Sequence, residues 1–147
     1  MFVGIGYARF DLRKKLYEDF SQKQIPFATI IHPTAVISPS AKIGDGTFVG
    51  PHAIVNKEAV VDENVVVNSG VLVEHNSEIG RHSYIAGRAA IAGYSKIGES
   101  SFIGLNSTIK DHITIADHTT VGCAVNVVKD IEESNHIYIG NPAKQFR

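Results

Sequence analysis

The sequence lacks most of what would give it a conspicuous function. Cys123 is the only cysteine, so no disulfide closes within the chain and no cysteine-based zinc site can form. Tryptophan is absent and there is one methionine. No charge of one sign prevails: 14 Lys and Arg against 15 Asp and Glu leave a net charge of −1. Binding to nucleic acid or to an anionic membrane through a basic field is thereby disfavoured. No apolar run approaches the length of a membrane span, so no membrane insertion is expected. Phe2-Val3-Gly4-Ile5-Gly6 follows Met1 with no basic segment and no small-residue cleavage site, so no signal peptide is expected. One cysteine fits a reducing compartment, and a cytoplasmic location is expected. The 147 residues fit one domain, and 13 glycines argue against a helical bundle.

What the sequence does have is a repeat. Ile31, Ile37, Ile43, Val49, Val55, Val61, Val67, Val73, Ile79, Ile85, Ile91, Ile97, Ile103, Ile109, Ile115, Val121 and Val127 lie six apart without interruption. Two residues before each stands a mostly small one, such as Ala53, Ala59, Ser77, Ser83, Ala89 or Ser101, and just after it often a glycine, as at Gly44, Gly80, Gly98 and Gly104. A period of six does not match the 3.6 residues of an α-helix turn. It suits a short strand, a turn and another short strand, with one β-branched side chain per hexad pointing inward. The small residue fits a narrow corner, and glycine is expected to supply backbone that other residues resist.

This pattern resembles the hexapeptide-repeat, left-handed parallel β-helix. The resemblance implies an all-β prism in which three hexads make a coil of eighteen residues. Seventeen hexads make a little under six coils, stacked at the strand spacing into a prism about 27 Å long. It is expected over residues 31–128. Residues 1–30 are expected to hold a short strand, Phe2–Gly6, and a helix, Asp11–Gln24, in which Leu12, Leu16 and Phe20 share one stripe and which Pro26 ends. Residues 129–147 form a tail containing Gly140-Asn141-Pro142-Ala143-Lys144.

That motif, after an apolar strand, resembles the C-terminal signature of hexapeptide acetyltransferases. Asn68-Ser69-Gly70-Val71-Leu72-Val73-Glu74-His75-Asn76 with Gly87 to Gly93 is similar to sugar acetyltransferases of the sialic-acid O-acetyltransferase and bacillosamine-pathway N-acetyltransferase type. In that family an N-terminal Rossmann-like lobe binds the nucleotide-sugar acceptor, and the opening residues here match only its last strand and helix. The resemblance implies transfer of acetyl from acetyl-CoA to a nucleotide-linked (4-)amino-deoxysugar, in a homotrimer with sites between neighbouring prisms. An O-linked acceptor and a non-catalytic trimeric scaffold stay open as alternatives. A γ-carbonic anhydrase, built on the same prism, needs His-x4-His, and the nearest pairs, His75 with His82 and His112 with His118, do not fit.

Among seven histidines only His75 follows an inner residue by two. Eighteen-residue stacking puts Gly93 above it and Lys57 below. A glycine there uncovers the imidazole and lets a thioester approach a backbone N–H, which is what acyl transfer requires. His75 is read as the general base and the Gly93 N–H as the oxyanion donor. The family usually has an acidic residue after the histidine; here it is Asn76, which can fix the imidazole tautomer but supports its charge less. Asn76→Asp is accordingly expected to raise the rate. Tyr84 stands where some relatives place a histidine against the acetyl carbonyl, and its hydroxyl suits the same bond or simple packing. Leu105 and Cys123, one coil apart, align with backbone contacts to pantetheine. Lys144 either meets a coenzyme A phosphate or is a plain surface lysine. Phe48, Val66, Leu72, Phe102 and Leu105 lie outside the inner column and are candidates for the trimer contact.

Overall fold

The computed structural model describes residues 1–146. Seventeen two-residue strands, from Ile30–Ile31 to Asn126–Val127, follow one another at six-residue intervals. Each of the first fourteen pairs in parallel with the strand eighteen residues on, as Val49 with Val67, Val67 with Ile85 and Ile85 with Ile103. The strands form three sheets, the faces of a left-handed triangular prism. The first face carries Phe48–Val49, Val66–Val67, Tyr84–Ile85 and Phe102–Ile103; the second Ile54–Val55, Leu72–Val73 and Ala90–Ile91; the third Val60–Val61, Glu78–Ile79 and Lys96–Ile97.

The hexad column is the core. From Val49 to Val127 every one of its residues is buried, each contributing about 1.5–3 kcal/mol. The serines two positions earlier do more than fill space. The hydroxyls of Ser77, Ser83, Ser95, Ser101 and Ser107 donate to carbonyls fifteen residues on, at 2.6–3.2 Å. Those of Ser83, Ser95, Ser101 and Ser107 also accept an N–H from the coil above, at 3.0–3.4 Å. A buried hydroxyl column is thus paired at both ends, as burial demands.

The glycines after the inner residues have a different role from the expected one. The left-handed turn positions are filled by Asn64, Asn76, His82, Tyr94, Asn106 and His112, with φ between 52° and 63°, a conformation that asparagine and histidine tolerate better than most residues. Gly44, Gly80, Gly98 and Gly104 are required by close approach instead: a Cβ there would meet the backbone of the next coil at 2.3–2.7 Å.

Ahead of the prism, a turn of 3-10 helix, Tyr7–Arg9, leads into the helix Phe10–Gln22. The strand expected over Phe2–Gly6 is not formed. The segment finds no ladder partner and lies along the first face, where Phe2 to Gly6 line a cavity with Phe48, Val66, Asn68 and Tyr84. Phe48 and Val66, candidates for a contact between copies, are therefore flanked by their own chain. The helix docks through its cationic side rather than through its apolar stripe: Leu12, Leu16 and Phe20 stay half-buried while Arg13 is 1% exposed. The Arg13 guanidinium donates to the carbonyls of His82 and Ser83, and Lys14 pairs with Glu99.

Beneath the helix His82 is 2% exposed, against the outward turn position its spacing suggests. Its Nδ1 meets the Asn64 amide at 2.9 Å and its ring lies edge-on to Tyr17. Burial pushes its pKa down to about 4. The unfolded chain titrates this imidazole near 6.5, so the folded value is the lower one. The stabilisation is complete above pH 6.5 and is lost as pH falls toward 4, by up to about 3 kcal/mol. His82→Asn, which keeps a residue suited to the positive φ, is expected to lose that much less stability than the parent between pH 7 and pH 4 in urea titrations. Equal losses in both would refute it.

After Val127 the register breaks. Ile137–Ile139 pairs with Thr120–Val121 at an offset of seventeen, and Lys144–Gln145 folds back antiparallel upon it. Ile131, Tyr138 and Ala143 cover that end of the core.

Candidate active site

The site begins at the corner between the second and third faces. Leu72–Val73 feeds a turn, Glu74 to Ser77, closed by a bond from the Ser77 N–H to the Glu74 carbonyl. His75 and Asn76 occupy its tip, half-buried. One coil above, the turn after Ala90–Ile91 holds Gly93, and the imidazole lies against it: a Cβ on Gly93 would fall 2.8–3.2 Å from His75 Cε1, Nε2 and Nδ1. Any side chain at 93 would take the imidazole's place. The vertical juxtaposition expected from eighteen-residue stacking is thus present.

His75 Nδ1 faces Asn76 Oδ1 at 3.2 Å. An amide oxygen only accepts, so this contact places the proton on Nδ1 and leaves the Nε2 lone pair free; among the described residues no partner is recorded for Nε2. Asn76 Nδ2 in turn donates to Glu58 Oε2 at 2.7 Å. Glu74 is turned away, its Oε2 accepting from Asn56 Nδ2 at 2.9 Å and from the His75 backbone N–H at 3.4 Å. Tyr94 meets the imidazole edge-on at a ring separation of 5.2 Å and stacks in parallel on His112. Sequence reasoning missed Glu58 and Tyr94. Both are eighteen residues from Asn76, so stepping from the asparagine as well as from the histidine would have found them.

A second group assembles at the corner between the first and second faces. Tyr84, Leu105 and Cys123 line one groove of about 220 Å³ with Asn68, Ala86, Gly87 and Phe102. The Tyr84 hydroxyl accepts from Asn68 Nδ2 at 3.1 Å and its ring stacks on Phe102. At Gly87 a Cβ would press on Leu105 Cδ1 at 3.3 Å, so the glycine keeps the groove open. Lys144 joins neither group. It lies on the terminal antiparallel strand of the first face, two strands beyond Thr120–Val121. The expected residues therefore divide into His75, Asn76 and Gly93 at one corner and Tyr84, Leu105 and Cys123 at another, with the second face between them. Among the described residues no three His, Cys, Asp or Glu side chains could hold a metal ion, and no helix is long and apolar enough to cross a membrane.

This arrangement has known counterparts. Residues 27–138 match the GMPPB C-terminal domain family. A variant of perosamine N-acetyltransferase from Caulobacter crescentus, solved with CoA and GDP-perosamine, is 30% identical and superposes with a TM-score of 0.94 over 99% of this chain and 68% of its own. The acetyltransferase domain of PglB from Neisseria gonorrhoeae is 28% identical, with a TM-score of 0.90 over 97% of this chain and 74% of its own. WeeI from Acinetobacter baumannii, 22% identical with a TM-score of 0.88 over 95% of this chain and 68% of its own, shares the fold. Comparison with curated proteins gives no match. The chain belongs to the GMPPB C-terminal domain family and to the hexapeptide-repeat acetyltransferases that act on sugars.

Proposed function

We propose that this chain transfers acetyl from acetyl-CoA to the amino group of a nucleotide-linked amino-deoxysugar, with His75 as general base. One observation carries the reading: an imidazole with its Nδ1 proton held and its Nε2 lone pair free lies flat over the only residue type that leaves it uncovered. The amine reaches the site neutral. As its nitrogen bonds to the thioester carbonyl carbon, His75 Nε2 accepts its proton. The Gly93 N–H, for which no acceptor is recorded among the described residues, faces the carbonyl oxygen as charge develops there. When the carbon–sulfur bond breaks, the imidazolium returns the proton to the leaving sulfur. Acetyl-CoA supplies the activated acyl group. The narrow groove of Asn68, Tyr84, Gly87, Leu105 and Cys123 suits its linear pantetheine arm, with Lys144 further along the same face toward a phosphate.

The two groups lie at different corners of one prism, so a single copy does not close the site. The second face between them exposes an apolar column, with Val36 61% and Ile54 38% exposed and Leu72 and Ala90 half-buried above them. Three prisms turning this face toward a threefold axis bury it. Cyclic symmetry then sets the His75 corner of each copy against the groove corner of the next. The active form is accordingly a homotrimer with three composite sites. It works in the cytoplasm, where acetyl-CoA and nucleotide sugars are made.

Thiol release from acetyl-CoA tests the reading, with GDP-, UDP- and dTDP-linked amino sugars as acceptors. Turnover is expected with at least one amino sugar and not with its N-acetylated product. A chain that fails to bind acetyl-CoA in calorimetry would refute the proposal.

A further inference from the structure

Asn76 stands one coil above Glu58, both in the left-handed conformation, with φ of 58° and 56°. Their side chains meet between coils, Nδ2 to Oε2 at 2.7 Å, while Oδ1 of the same amide faces His75 Nδ1 at 3.2 Å. The direction of this chain is fixed by chemistry. A carboxylate has no proton to give, so it must face the NH₂ of the asparagine, which turns the amide oxygen toward the imidazole. An oxygen at that place selects the tautomer with its proton on Nδ1. Freed from the carboxylate, the amide has two orientations, and the reverse one presents NH₂ to the ring. That selects the proton on Nε2, and such an imidazole cannot take a proton from an amine. We infer that Glu58 is a positioning residue for His75, acting through Asn76 in place of the acidic neighbour that the resemblance leads one to expect. The inference rests on His75 being the base. Glu74, the nearest carboxylate in sequence, does not serve, because its oxygen is held by Asn56 and by the His75 backbone N–H.

The arrangement overturns one expectation. Asn76→Asp does not improve the base, because it sets two carboxylates face to face where the amide and Glu58 now bond. Like charges at that separation cannot both stay ionised without cost, so the new acid is spent on Glu58 rather than on the imidazole. The gain should emerge only with Glu58→Gln, whose amide can donate to Asp at 76.

The test combines spectroscopy with turnover. In nitrogen-15 spectra of histidine-labelled protein, with His75 assigned by its loss in His75→Ala, the parent should show the Nδ1–H tautomer and Glu58→Gln a mixture. Glu58→Gly should do the same while relieving the positive φ, which separates the effect from misfolding. Both variants should lower kcat by the factor by which the Nδ1–H population falls in the same spectra, about two- to tenfold, at unchanged KM for acetyl-CoA. Glu58→Gln with Asn76→Asp should restore it. An unaltered tautomer in Glu58→Gln, or a rise in kcat from Asn76→Asp alone, would overturn the inference. The tautomer is read without turnover, so absence of acetyl transfer would count against the proposed function while the spectra still decide the role of Glu58.

Discussion

Replacing His75 with alanine is expected to lower acetyl transfer by about 10²–10⁴-fold, the usual worth of a positioned base. The loss should fall on kcat. The imidazole sits at the corner between the second and third faces, whereas the groove assigned to the acyl donor lies at the corner between the first and second. Within one copy the variant leaves that groove untouched, so acetyl-CoA affinity measured by calorimetry should stay within about twofold, well below the tenfold that 1.4 kcal/mol represents. The residue is half-buried at a turn tip and takes no part in the inner column, so the fold should survive. Some transfer should remain, because the Gly93 N–H and the alignment of the two substrates do not depend on the imidazole. Undiminished kcat in the variant would remove His75 from the chemistry and shift attention to the Tyr84 hydroxyl and the Cys123 thiol, which line the groove.

The fold was legible because one rule governs it. Each sixth residue is Ile or Val without a gap from Ile31 to Val127, and from Val49 onward every one points into the buried core. The pairing of His75 with Gly93 followed from the same arithmetic, since coils in register place residues eighteen apart in contact. What escaped the reading needs more than that arithmetic: eighteen-residue stacking puts Glu58 beneath Asn76 but does not say that the two bond. Glu58 is exposed and acts through one hydrogen bond to a neighbouring amide, and nothing in its own hexad sets it apart. The aromatic and aliphatic side chains of Phe48 and Val66 look like an interface in sequence. Only the fold reveals that residues 2–6, lacking a strand partner, lie against them. Arg13 on the helix defeats periodicity in the opposite sense: a charged residue is the most buried of its turn because its guanidinium gives the His82 carbonyl at the prism corner a donor that no backbone N–H among the described residues supplies.

Mixing two inactive variants is expected to restore about a quarter of the parent activity. The first is His75→Ala, which keeps the groove. The second is Leu105→Trp, which fills the groove with a larger ring and keeps His75; Leu105 is 48% exposed, so the fold has room for the exchange. Each alone should be nearly inactive, because every composite site in a trimer of one variant lacks the same half. After unfolding and refolding together in equal amounts, a given site receives its intact His75 from one copy with a chance of one half. It receives its intact groove from the next copy with the same chance, so about one site in four is whole. The value follows from symmetry and not from the size of either defect. It also distinguishes the two ways of building the site. If His75 and the groove of a single prism served the same substrate, mixing would regain nothing at any ratio. If copies paired through two like corners, His75 would face His75, and again no site would be whole. Only contact between unlike corners, with the apolar second face turned inward, gives recovery near one quarter. Light scattering on the mixture should show the mass of three chains.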